Sequence, residues 1–346
     1  MTVSRWEAGF GFSWESMPRG SITHLFPIRS LRHPTMFLPG MFSFNRQKAE
    51  SMKRVSPVIV AAAMILAGSL RGAGFATLKW AGGARAAGMG MAFTARADDG
   101  TASFWNPAGL DRLDGVRAVI SLHRWFSDVQ SEFFSIGWSR KRHGFGAHVL
   151  YTRVGDIELR ETATLEPLAV FSAYELAIGF SYSLRVSSAL SFGLTVKTLY
   201  EKIDVDDVWG LAADAGLLWV WGTDGLRLGW VLQNMGRTGR FNRERIELPL
   251  ISRLGAAIPF RAIGAQWLAA VEGVAEKDAP FHVHAGFEVF WDSGLILRCG
   301  YQTGYQTRNV SGGIGFRWSR YRLDYNYTPT RWGLGDSHQM GMEFVL

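Results

Sequence analysis

The residues with the most chemical capacity are charged side chains spaced two apart within alternating stretches. Arg322 and Asp324 sit on one face of Arg320 to Tyr327, opposite Tyr321, Leu323, Tyr325 and Tyr327. Arg227, Arg253 and Arg298 hold the matching polar positions of three earlier stretches. Glu175, Lys197, Asp214, Glu272, Glu288, Arg317 and Glu343 do so in others. Two chemistries fit mixed charges on a shared face. The charges can pair into a network that ties parts of the chain together. Alternatively, Arg227, Arg253 or Arg298 can grip a carboxylate headgroup, because guanidinium offers a planar fork for bidentate binding.

Other chemistries find less support. His282 and His284 share a face at a spacing that can chelate a metal, but no cysteine or carboxylate motif adjoins them. They read as polar lining, and no metal or cofactor is expected. No Gly-x-Ser-x-Gly elbow marks a nucleophile, so no enzymatic activity is expected. Gly88 to Gly90 could be taken for a dinucleotide loop, yet no strand precedes it and no βαβ unit surrounds it. The single cysteine, Cys299, shares a face with Leu295, Leu297 and Tyr301 and reads as a small lipid-facing residue. No basic stripe or recognition motif points to nucleic acid.

The elements that position these residues are strands. Side chains of a strand point alternately to its two faces. Fourteen segments after Gly115 alternate: 116–125, 131–140, 143–153, 173–186, 188–203, 209–221, 224–234, 249–260, 264–275, 281–291, 294–303, 309–318, 320–328 and 338–346. Each is about the ~9–11 residues of a tilted membrane-crossing strand, or slightly longer. The apolar face is rich in Tyr, Phe and Trp. Connections alternate between short ones (141–142, 186–187, 221–225, 291–294, 319–320) and mostly longer ones (154–172, 204–208, 235–248, 276–280, 329–337). Short periplasmic turns and longer outer loops are the habit of outer-membrane barrels, and an even strand number leaves both ends in the periplasm. A soluble sandwich would have to bury the apolar faces of all fourteen strands in one double layer, which is too many. The fold class is therefore all-β: an antiparallel transmembrane β-barrel over 116–346 with an N-terminal plug. Trp125, Trp138, Trp209, Trp219, Trp221, Trp230, Trp291, Trp318 and Trp332 fall mostly at inferred strand ends, as interfacial aromatic girdles would.

The N-terminal third has a different organisation. Lys53 and Arg54, the apolar run Val58 to Gly68, and Gly74-Phe75-Ala76 predict a secretory signal peptide over 52–76, cut after Ala76. Residues 1–51 lack periodicity and read as an over-extended start or a prefix. The formal net charge of +7 belongs mostly to this region. Residues 77–346 carry 28 Lys/Arg against 27 Asp/Glu, a difference of +1.

Residues 77–115 do not alternate. They are rich in small residues and end in Asn106-Pro107-Ala108-Gly109, which is turn chemistry. A compact plug inside the barrel fits them. Gly83 to Gly90 (with Arg85 and Gly88), the Asp98-Asp99 pair and Asn106 to Leu110 resemble the start of the PorV/PorQ family, within the FadL-like (OMPP1/FadL/TodX) outer-membrane group. The resemblance continues through Gln233 to Gly236, which ends a strand as in the family. It then runs through Leu248 to Leu250, Arg253 to Ala256, Gly286 to Glu288, Arg298 to Tyr301, Asp324 to Tyr327 and Leu334 to His338. It covers roughly 80–346.

The resemblance implies a fourteen-stranded barrel whose N-terminal segment plugs the lumen. Gly83, Arg85, Gly88, Gly90, Asn106, Pro107 and Gly109 are its motif. It implies the bacterial outer membrane, contact with membrane lipid, and recognition of the C-terminal strand by barrel-assembly machinery. That strand ends in Leu346, with Phe344 on the same face, rather than in the family's usual terminal aromatic. The stretch 77–346 is short for the group, so its outer loops are trimmed. Two functions stay open. One is passive transport of hydrophobic compounds. The other is a PorV-like part in a type IX secretion system, holding exported proteins at the surface.

Overall fold

The computed structural model describes residues 75–346, apart from 81, 126–128, 160–165, 223–224, 242–243, 278 and 334. The expected prefix 1–51 and the leader 52–76 therefore lie outside the described residues, save Phe75 and Ala76.

Among the described residues, fourteen strands close one antiparallel ring. In chain order the first seven are β1 Val116–Arg124, β2 Val129–Arg140, β3 His143–Leu159, β4 Ala169–Arg185, β5 Leu190–Ile203, β6 Asp206–Val220 and β7 Arg227–Thr238. A two-stranded hairpin follows, β8 Arg240–Phe241 with β9 Glu244–Arg245. The ring resumes with β10 Ile251–Ala262, β11 Ala265–Glu276, β12 His282–Trp291, β13 Leu295–Gln302, β14 Val310–Trp318, β15 Tyr321–Thr328 and β16 Ser337–Val345. β16 pairs with β1, Val119 opposite Glu343, and leaves no free edge. That removes the unpaired backbone groups hydrocarbon cannot tolerate. No helix among the described residues is long and apolar enough to cross a membrane.

The fourteen expected segments each coincide with a strand, with ends shifted by a few residues. Burial follows the alternation, with the polar side inward. Leu194 and Leu323 are 44% and 42% exposed, while Lys197 and Asp324 are 3% and 4% exposed. A soluble sheet would reverse that order. Cys299 is exposed on the outer face, beside Leu297 and Tyr301.

Two local readings are corrected. Gln233 to Gly236 does not end a strand, because β7 continues to Thr238. Past Gln233 it leaves β10 and stays paired with β6 alone. The register slips at Asp214, and Asn234 takes the left-handed conformation with φ 65°. A bulge re-aims the strand at the cost of one unpaired position. Asp214 meets that cost by accepting from the Asn234 amide at 2.7 Å, while Lys197 pairs with Asp214 at 2.8 Å. Trp125 is likewise no girdle residue. Its ring lies 4.1 Å from that of His123, which is buried, and 4.4 Å from that of Trp80.

Residues 75–115 pack against the inward faces. A 3-10 turn spans Ala76–Lys79, followed by α1 Ala84–Gly88, α2 Ala102–Trp105 and a second 3-10 turn Pro107–Arg112. Helix α1 contacts β13 to β16, α2 contacts β2 to β4, and the Pro107 turn contacts β2 to β6. Glycine on both sides allows this approach. A Cβ on Gly300 would stand 2.0 Å from the Gly90 nitrogen, and one on Gly109 would stand 2.0 Å from the Ala97 oxygen.

Candidate functional site

Helix α1 lies over the strongest concentration of charge on the inner wall. Arg85 meets Glu288 of β12 through two parallel bonds, Nε to Oε2 at 2.8 Å and Nη2 to Oε1 at 2.7 Å. Its Nη1 reaches Asp98 at 2.9 Å and Asp99 at 3.1 Å. Glu288 also accepts from Arg298 Nε at 2.7 Å, and Arg298 Nη1 donates to Asp324 at 2.8 Å. Arg322 closes the chain of charges. It bonds Asp324 at 2.8 Å, Asp99 at 3.0 Å and Glu343 at 2.6 Å. Sequence reading placed Arg298, Arg322 and Asp324 on one face, and the structure brings these three together with Arg85 from the inner segment.

Burial alone would raise the carboxyls of Asp98 and Asp99. For Asp98, Arg96 and Arg85 outweigh it; for Asp99, Arg85 and Arg322 do. Both groups sit below the ordinary carboxylate range.

The other two proposed arginines lie elsewhere. Arg253 pairs with Glu272 at 3.1 Å and donates to Gln233 at 3.1 Å. Glu272 also accepts the amides of Phe93 and Thr94 at 3.1 and 2.9 Å, so this pair also holds the inner segment. Among the described residues, Arg227 reaches the Arg96 carbonyl at 3.5 Å and Asp98 at 4.0 Å.

The far half of the segment is held mainly by neutral bonds, with one looser ion-pair group in which Asp111 lies 3.9 Å from Arg112 and 3.8 Å from Arg185. Asn106 donates to the carbonyls of Thr94 and Leu217 at 3.0 and 3.1 Å and accepts from the Ala108 amide at 3.1 Å. Pro107 opens the turn it caps. Ser103 meets Ser135 at 2.9 Å, and Gln233 donates to the Phe104 carbonyl at 2.9 Å. Phe104 packs edge-on against Phe133 and His148, each at 5.5 Å. Of the motif residues, Arg85 and Asn106 supply polar bonds, and Gly90 and Gly109 supply close approach. Gly83 takes a φ of 101°, which favours glycine. A Cβ on Gly88 would press on the backbone of Gly313 at 3.3 Å.

His282 and His284 are held by Tyr305. Its ring stacks on His282 at 4.0 Å, and its hydroxyl lies 3.2 Å from His284 Nε2. Among the described residues no cluster of metal-ligating groups occurs.

Two cavities flank this region. One, of about 560 Å³, lies where β7 parts from β10, lined by Met235, Ile246, Leu248 and Leu250 with Arg237 and Lys277. Asn234 borders it and donates to the Pro249 carbonyl at 2.8 Å, bridging the two strands. The other, of about 580 Å³, lies at the short-turn end and is bordered by Arg85, Arg298 and Arg322.

Comparison with known proteins agrees with this architecture. Residues 72–224 match the family model described as type IX secretion system protein PorV. No curated protein sequence matches. The fold is similar to that of the CymD monoaromatic hydrocarbon channel, with a TM-score of 0.58 and 14% identity over 76% of this chain and 97% of that one. For the Pseudomonas putida toluene transporter TodX the TM-score is 0.53, at 13% identity over 80% and 97% of the two chains. For a Pseudomonas aeruginosa FadL homologue it is 0.51, at 12% identity over 74% and 96%. The resemblance read from the motifs therefore holds: PorV-like over 72–224, within a FadL-like fold.

Proposed function

From a chain that is PorV-like over residues 72–224 and FadL-like in fold, we propose an outer-membrane barrel for passive passage of hydrophobic compounds. The observation that carries this reading is the cavity beside the parting of β7 from β10, with its apolar side of Met235, Ile246, Leu248 and Leu250. A hydrophobic compound gains free energy by leaving water for such a lining, at roughly 25 cal/mol per Å² buried. It would enter on the long-loop side, rest against Leu248 and Leu250, and pass the inner segment as that segment shifts. The fold neighbours, whose names include a hydrocarbon channel and a toluene transporter, support the reading.

The test is uptake of labelled toluene and of a labelled long-chain fatty acid by a deletion strain, by that strain carrying wild type, and by one carrying Leu248→Arg. Uptake restored by wild type and not by Leu248→Arg is the expected result. Equal uptake with and without the gene sinks the proposal. The family model favours a second reading, attachment to a type IX secretion system. Under it, deletion would release exported proteins from the cell surface and leave hydrocarbon uptake unchanged.

A further inference from the structure

The cavity at the short-turn end has an excess of guanidinium groups. Seven arginines line it against two carboxylates, Asp98 and Glu288. The ion pairs above account for part of this charge. Arg261 and Arg317 make no ion pair among the described residues, and Arg317 instead stacks on Phe290 at 4.0 Å. Three further nitrogens on the lining arginines are buried without a hydrogen-bond partner: Arg298 Nη2, Arg96 Nε and Arg227 Nε.

Buried polar groups are ordinarily bonded, and a donor on a charged group left unpaired is costly. These nitrogens have almost no accessible surface, so an acceptor in the cavity does not reach them; the accessible unpaired groups of the lining are the guanidiniums of Arg261 and Arg317. Both carboxylates of the lining are already engaged, Glu288 with Arg85 and Arg298, and Asp98 with Arg85 and Arg96. An acceptor for Arg261 and Arg317 within the cavity is therefore external and negatively charged. A guanidinium fork matches the planar edge of a carboxylate or two oxygens of a phosphate. Phe290, Ile296 and Pro259 form an apolar flank to the same cavity, suited to the carbon skeleton of such an anion.

We propose that this cavity is an oxyanion-binding site, taking the carboxylate or phosphate group of an organic anion between Arg261 and Arg317, within the positive field of the buried arginines behind them. The site stands whether or not the barrel conducts hydrophobic compounds, because it rests on its own lining.

The test is calorimetric titration of the full chain in a maltoside detergent with inorganic phosphate, and separately with decanoate below its micellar range. Low and high salt are compared. Arg261 and Arg317 are both exposed, so the double variant Arg261→Gln/Arg317→Gln leaves the buried network untouched and should melt as wild type does. Saturable binding is expected at low salt. It should weaken at high salt and fall at least ~10-fold in the double variant, the loss expected for one or more charge-assisted bonds. Decanoate bound more tightly than phosphate would support an amphiphilic ligand lying on Phe290. Equal binding would support recognition of the headgroup alone. No saturable binding of either probe to the wild type overturns the proposal, and so does binding unchanged in the double variant.

Discussion

The inner segment is held by two different means at its two ends. Around α1 the barrel wall of β12 to β16 presents charge, and Arg85 is fixed by three carboxylates. Around α2 and the Pro107 turn, the wall of β2 to β6 presents mainly hydroxyls, glycines and aromatic rings, with Arg185 beside Asp111. There Asn106 bonds to backbone and Leu110 packs with no exposure. The difference concerns what each end tolerates. A charge network is strong only while complete, since removing one partner strands the others in a low dielectric. A neutral interface loses bonds and contacts piecemeal. The α1 end should therefore fail abruptly and the α2 end gradually.

The largest effect should come from removing both ends. Deleting 80–108 should leave an inserted barrel with markedly raised conductance in planar bilayers, since a ring of this strand number encloses a lumen unless something fills it. Conductance equal to a low wild-type level, with the barrel intact, would mean that another part of the chain closes the pore. Next comes Arg85→Ala, which takes one arginine from each of Glu288, Asp98 and Asp99 and leaves them with Arg298, Arg96 and Arg322. The cost of leaving a buried charge uncompensated, about 3–5 kcal/mol, is the upper bound of the loss, read as lowered thermal stability and faster protease cleavage near α1. If Arg85→Ala melts as wild type does, the charged end is no anchor. Asn106→Ala should cost less, about 1–3 kcal/mol for the Thr94 and Leu217 carbonyls left without their donor. It should loosen the Pro107 turn and leave α1 protected. A variant that exposes both ends equally would erase the distinction between them.

How much of this was legible differs between the barrel and the site. The strands were legible because lipid outside and polar lining inside impose period 2 on every crossing, so Leu194 and Lys197 declare their faces by residue type alone. The inward charges were legible as a set. Their partners were not, because Arg85 and Glu288 lie 203 residues apart and no local spacing couples them. The wall glycines gave no distinct signal either. Gly300 reads as one more small residue in an alternating strand until Gly90 is seen against it. The parting of β7 from β10 depends on a one-residue bulge in β7, where Gln233 and Asn234 stand opposite Asp214. A bulge inserts without interrupting alternation on either side, which is why Asn234 was read as a strand end. Trp125 follows the ordinary rule for an interfacial ring. Only Trp80, brought back from the inner segment, turns it inward.

The smallest expected effect separates the ends by pH. Asp98 and Asp99 have folded values below the ordinary carboxylate value of about 3.9. Their contribution to stability is therefore present above that value and is lost only as pH falls below it, through the lowered folded values. Asp111, in the Pro107 turn, behaves oppositely. Burial raises its carboxyl, and the Ser191 hydroxyl at 3.1 Å and the Arg185 charge offset this only in part. With a folded value above the unfolded one, Asp111 takes up its proton first in the folded chain. Stability at that end rises as pH falls through its raised value. Acidification from neutrality to just above the ordinary carboxylate value should thus leave α1 amides as protected as before and protect the Pro107 turn slightly more. Further acidification should release α1 first. Hydrogen exchange of the detergent-solubilised protein, corrected for intrinsic rates at each pH, checks both directions. Loosening of the Pro107 turn ahead of α1 would reverse the assignment of the dense charge network to one end and mainly neutral bonds to the other.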